Sequence, residues 1–273
     1  MPRNVTTRAR PSLCGVRSKA ARAREHLETL SAETDAFGKD EPVRLVSSFD
    51  RDTATHVVNA KIREPDQPRW GLLLGDFAQN ARAALDHLVW QLVLLSGNTP
   101  GLENAFPIAT TCTAYRGSPE GRRMSLRERG LKGVDDNYRP AIDAVQPYLL
   151  AEDPASHPLA GLQWLSNIDK HRVIHAAAVA ARRPDVTTFA VSSPTGGDAE
   201  VWIAEGPLED GAEVMRITFR SGEAPDPGES GQALVTLTIG FGDRGRTPKG
   251  AFQILEFVEG VIEDLAAVFP GAP

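Results

Sequence analysis

Apolar residues recur at helical spacing in some stretches of the chain and at every second position in others, and the order of the two periods predicts its elements. Ala20, Ala23, Leu27, Leu30 and Phe37 put one apolar face on a helix over Ser18–Phe37, with Gly38 placed to cap it. Val43–Ser48 and His56–Ile62 alternate as two strands of a hairpin, with Phe49–Asp52 as the turn. Trp70–Gly97 is the longest and most apolar helical run, and a helix apolar almost all round is predicted to be buried. After a loop at Asn98–Gly101, Phe106–Ile108 forms a short extended contact, and the polar stretch Thr110–Asn137 reads as a mobile loop with a short helix. Arg139–Leu150 reads as one short helix with Ile142, Val145 and Leu149 inward. Pro158 opens a helix over Leu159–Ala180. Past Pro184 the period changes to two, and Thr187–Ser192, Glu200–Ala204, Ala212–Arg220 and Ala233–Phe241 read as a four-strand antiparallel meander. Gly250–Phe269 closes the chain as an amphipathic helix.

This order predicts an α+β fold: a helical bundle around a long buried central helix, an antiparallel sheet that joins the N-terminal hairpin to the meander, and the last helix packed on it. Residues 16–273 are expected to form a single interleaved domain: helical to about 181, strand-rich over 182–248 and closed by a helix over 249–269. The basic residues 1–15 read as a disordered tail rather than a secretory signal.

Composition narrows the picture. The chain has 273 residues, 41% apolar and 24% charged, as soluble globular proteins have, and no run of about 18 apolar residues suited to crossing a membrane. Cys14 and Cys112 are too few for a disulfide framework, which points to the cytoplasm. A net charge of −6 argues against a chain-wide nucleic-acid footprint. The charge is uneven, however: 15 Asp/Glu against 5 Lys/Arg from Pro184 onward, and 21 against 25 before it. A polyanion would meet the earlier part, where Arg116, Arg122, Arg123, Arg127, Arg129 and Lys132 crowd one loop.

The candidate chemistry lies on two helices. At about 100° per residue Asp76, Asn80, His87 and Gln91 share a polar stripe on the central helix, while Arg82 and Asp86 form an i,i+4 pair on another face. Asn167, Asp169, His171, Arg172 and His175 load the helix that follows Pro158. Such groups can form a satisfied structural network, since an unmet buried polar group costs about 1–3 kcal/mol. His171 and His175 could share a metal ion completed by Asp76 or His87, but no Glu stands where metal-assisted hydrolysis needs one, and no cofactor is expected. Trp70, Trp90 and Trp164 read as core, and His26, His56 and His157 as peripheral.

Arg82-Ala83-Ala84-Leu85-Asp86-His87 is an Arg-x4-His spacing inside a helix. It resembles the signature of the HEPN superfamily, helical proteins whose active members are metal-independent endoribonucleases in which Arg and His of two subunits meet across a dimer interface. The resemblance implies RNA as substrate, a homodimer, a stress or defence role, His87 as acid/base and Arg82 as phosphate ligand. The residue types suit that chemistry: histidine titrates near neutrality, and arginine offers a fixed fork of donors to a phosphate as its charge builds. A longer pattern runs from about Ser18 to Arg172: the hairpin, Gly-Asp-x3-Asn-x-Arg-x-Ala-Leu-Asp-His-Leu-x-Trp, Phe-Pro-Ile, Gln-Pro-Tyr and Asp-Lys-His-Arg. It is similar to a group of uncharacterised bacterial proteins and implies no established activity. It does imply that Asp76, Asn80, Arg82, Asp86, His87, Asp169, His171 and Arg172 belong to one constellation. The alternative is a non-catalytic ligand-binding or interaction protein in which that network is structural.

Overall fold

The structure is a computed structural model, described here for residues 10–40, 42–64, 66–118, 121, 124–171, 174, 176–180, 199–204, 210–219, 237–241, 247–267 and 269. The protein is α+β. In chain order its elements are α1 (Cys14–Lys39), β1 (Val43–Asp50), β2 (Thr55–Ile62), α2 (Gln67–Leu95), α3 (Cys112–Arg116), α4 (Leu126–Gly130) and α5 (Arg139–Ala144). They continue with α6 (Pro147–Leu150), α7 (Pro158–Asp169), β3 (Ala176–Ala180), β4 (Ala199–Ile203), β5 (Glu213–Phe219), β6 (Leu237–Phe241) and α8 (Pro248–Ala266). None of the described helices is long and apolar enough to cross a membrane.

The chain gathers into two compact units. One comprises Met1–Leu30, Gly71–Ile174 and Lys249–Pro273; the other comprises Ser31–Trp70 and His175–Pro248. In the first, α2 supplies the centre of the core: Phe77, Leu85, Leu88 and Leu92 are fully buried, each contributing about 1.5–3 kcal/mol of apolar burial. The apolar stripe of α1 (Val16, Ala20, Ala23, Leu27, Leu30) is buried as its spacing predicts. One flank of α1 meets α8 through Arg17–Glu263 and Arg24–Glu259. The other runs antiparallel along α2, with Ser12 bonded to Gln91, Lys19 to Asn80 and His26 facing Asp76.

The second unit holds an antiparallel sheet in the order β1-β2-β5-β4, so the N-terminal hairpin does join the later strands, through a β2–β5 ladder with a register shift at Val58/Asn59. Val58, Ala60, Val214, Met215, Ile217 and Phe219 make its core, with Leu45 and Phe49 packed against it. Glu33 ties the end of α1 to the start of α2 by accepting hydrogen bonds from Arg69 and from the Trp70 indole N–H. Pro68 lies in the first turn of α2, where its missing donor is harmless.

Several sequence expectations are corrected. The helix over Leu159–Ala180 ends at Asp169, and Ala176–Ala180 is a strand despite its helix-favouring alanines. The ladder with β6, which pairs Ala178 with Ile239, overrides local propensity. β6 therefore lies in a separate two-stranded sheet rather than beside β5. The strand expected at Thr187–Ser192 falls outside the described residues, as do residues 1–9, Arg122 and Arg123. Arg139–Leu150 is two short helices, because Pro147 holds Gln146 extended at ψ 137°, and Leu149 is exposed rather than inward.

The stretch Thr110–Asn137 is anchored where it is described, not a loose loop. Tyr115, Leu131 and Val134 are buried, and α4 starts with a full capping box between Ser125 and Glu128. Among its described basic residues, Arg127 pairs with Asp143 and Lys132 with Glu103. Gly130 packs so closely that a Cβ would stand 2.5 Å from the Ala105 carbonyl oxygen.

His157 is not peripheral. It is buried, caps α7 by accepting the Leu159 N–H on Nδ1 at 3.2 Å, and stacks edge-on against Phe257 of α8. The cap needs Nδ1 unprotonated, and burial lowers the imidazole pKa. This contribution is complete above the unfolded value of about 6.5 and is lost as pH falls through the lower folded value. His157→Ala is expected to cost about 1 kcal/mol at pH 8 and less at pH 5, measured by denaturant titration at both.

Candidate functional site

Arg82 and Asp86, one turn apart on α2, form a nearly closed knot with two distant segments. The Arg82 side chain is 14% exposed and that of Asp86 33%. Arg82 Nε donates to Asp86 Oδ2 at 3.2 Å, Nη1 donates to Gln163 Oε1 at 3.2 Å, and Nη2 donates to the Phe106 carbonyl oxygen at 2.6 Å. Nη2 also lies 2.9 Å from Asp86 Oδ1, which accepts the Phe106 backbone N–H at 2.8 Å. Both backbone polar groups of Phe106 are thus satisfied by one ion pair, and the Phe106 side chain is fully buried. The knot ties Phe106 to α2 and, through Gln163, ties α2 to α7. Gln163 passes the network on, donating to Asn167 Oδ1 at 3.0 Å.

The polar stripe of the same helix faces another way. Asp76 and His87 are exposed, not buried as the apolar character of the run suggested. Asn80 accepts from Lys19 and donates to the Asp76 carbonyl oxygen. His26 Nδ1 lies 4.0 Å from Asp76 Oδ2. His87 sits opposite Gly15, where a Cβ would be 3.8 Å from its Nδ1, and has no hydrogen-bond partner among the described residues. Arg82 therefore serves the α7 flank of α2 and His87 lies beside α1.

Asp169 joins neither group. Its Oδ2 accepts from Gln79 Nε2 at 3.0 Å, and the same amide also donates to the Ser166 carbonyl oxygen at 3.1 Å. The carboxylate lies against Gly75, where a Cβ would be 2.0 Å from Oδ1, so glycine is what admits this approach. His171 is exposed just beyond α7, and Arg172 and His175 lie outside the described residues. Among the described residues no three His, Cys, Asp or Glu side chains gather as a metal set. Trp70 is core as expected, Trp164 half-buried, and Trp90 is 39% exposed on α2.

Two arrangements escaped the sequence reading. Tyr115 Oη donates to Asp143 Oδ1 at 2.7 Å while Arg127 grips the same carboxylate with two donors at 2.7 and 2.8 Å. Burial pushes the Asp143 pKa up, but the Arg127 and Tyr115 hydrogen bonds outweigh it, so the group lies below its ordinary value. On the sheet, Glu200, Trp202, Arg216 and Thr218 line an open depression of about 390 Å³, with Trp202 and Arg216 cross-strand neighbours. Neither the Tyr115 knot nor the Trp202 depression has a local signature, because each joins residues that only the fold brings together.

Comparison with known proteins finds no matching family model, no matching curated protein and no matching solved structure.

Proposed function

We propose that this chain is a non-catalytic interaction protein in which the Arg82–Asp86 network is scaffold and the outward face of α2 does the binding. One observation carries this reading: the Arg82 guanidinium, the group a phosphate ligand would need free, already donates to Phe106, Gln163 and Asp86. Releasing it would strand the Phe106 carbonyl and leave Asp86 unpaired at a partly buried position, a cost of about 2–4 kcal/mol. Two free, exposed thiols, Cys14 and Cys112, support reading the protein as cytoplasmic.

A second reading keeps a specific observation in its favour. His87 is exposed and unbonded among the described residues, so its imidazole is open to contact with a substrate. Under this HEPN-like endoribonuclease reading, Arg82 must leave its knot or be supplied by a second subunit. Purified protein incubated with single-stranded RNA in EDTA separates the two. The interaction reading expects no cleavage above background and the same result for His87→Ala. Metal-independent cleavage that His87→Ala abolishes would establish the nuclease.

A further inference from the structure

We infer that the exposed stripe of α2 is a self-association surface on which a second copy of this chain packs antiparallel, about a two-fold axis through Ala83. This rests on the interaction-protein reading and names its partner. The exposure of α2 is not scattered. Leu72 is 59% and Trp90 39% exposed, the Asp76 side chain is 61% exposed, His87 is exposed, and Ala83 and Leu94 are partly so. At about 100° per residue these six positions fall in a band about 60° wide. The band is flanked on one side by Asn80 and Gln91, which bond to Lys19 of α1 and to Ser12 just before it, and on the other by Gln79 and Arg82, which bond to α7.

The stripe is complementary to its own reverse. A two-fold axis at Ala83 sets Leu72 opposite Leu94 of the second copy and Asp76 opposite Trp90 of the second copy. The axis itself passes between two alanines small enough for the helices to approach to about 8–10 Å. The apolar leucines meet at both ends. Each Asp76 carboxylate faces an indole N–H, with the imidazole of His87 one turn away, so its charge meets donors rather than another acid. No like charges are placed opposite each other. Arg82 takes no part, because its guanidinium is held on the α7 flank.

The stripe spans 23 residues, or about 35 Å, and alone buries less than the roughly 800 Å² per partner of a standard interface. The association is therefore expected to be reversible, in the micromolar range.

Sedimentation equilibrium of the full chain, from about 1 to about 300 µM, tests the inference. Wild type should shift from about one to about two chain masses across this range. Ala83→Arg, which places two like charges and two long side chains on the axis, should remain monomeric with unchanged far-UV circular dichroism and melting temperature. Trp90→Ala should weaken association at least tenfold, and Leu102→Ser, at an exposed leucine off the stripe, should leave it unchanged. A wild type that stays monomeric at the highest concentration overturns the inference. So does a dimer that Ala83→Arg and Trp90→Ala both leave intact. RNA cleavage by an intact dimer would instead overturn the non-catalytic reading and leave this surface standing.

Discussion

Arg82→Ala is expected to destabilise the protein by about 2–4 kcal/mol, measured from the urea midpoint with the slope unchanged. The loss comes from three segments at once. Asp86 loses its counter-charge, the Phe106 carbonyl loses its donor, and Gln163 loses one of the contacts that join α7 to α2. Arg82→Lys should recover little, because one ammonium cannot reach three acceptors set in a planar fork. Asp86→Asn should cost less than Asp86→Ala, since its amide oxygen can still accept the Phe106 N–H. His87→Ala, at a position exposed and unbonded among the described residues, should change stability by less than about 0.5 kcal/mol. That contrast between two residues five apart separates scaffold from surface.

Asp143→Ala should cost a similar amount, about 2–4 kcal/mol, because it orphans the hydroxyl of buried Tyr115 and the guanidinium of Arg127 together. Burial, together with the neighbouring carboxylate, pushes the Tyr115 hydroxyl far above its ordinary pKa, so it remains a donor throughout the usable range. The pH dependence follows from the Asp143 carboxyl, whose folded value is depressed. Its contribution is fully present above the unfolded value of about 3.9 and is lost as pH falls through the lower folded one. The gap between wild type and Asp143→Ala should therefore be constant from pH 5 to 8 and close on acidification below about pH 4. A gap that stays constant to pH 2 would assign the stability to packing rather than to the carboxylate.

Much of the architecture was legible because period and length agree. The α1 stripe from Ala20 to Leu30, the hairpin and the α8 stripe all occur where their spacing puts them. The failures share a physical cause, which is that long-range partners outvote local preference. Ala176–Ala180 favours a helix by composition yet pairs with Leu237–Phe241, a partner about 60 residues away that no local window contains. The polar stretch after Thr110 read as loose because Tyr115 finds its acceptor only at Asp143.

The candidate site divides in the same way. Arg82 and Asp86 were readable as an i,i+4 pair on their own face of α2, and they are one. That the pair exists to hold Phe106 was not readable, because a backbone N–H and C=O leave no mark in a sequence. The exposure of Asp76 and His87 was also missed. A helix rich in Leu, Val and Ala looks buried all round, whereas α2 buries a wide face and leaves a narrow stripe that carries Leu72 and Trp90 into solvent.

The central claim, that Arg82 and Asp86 serve to hold Phe106 in place, is tested most directly by amide hydrogen exchange at Phe106. Its N–H, bonded to Asp86 Oδ1 at 2.8 Å, should be strongly protected in wild type. It should lose at least about tenfold of that protection in both Arg82→Ala and Asp86→Ala, while His87→Ala leaves it unchanged. A Phe106 amide equally protected in all four proteins would contradict the scaffold role and return Arg82 to the list of groups free to bind a phosphate.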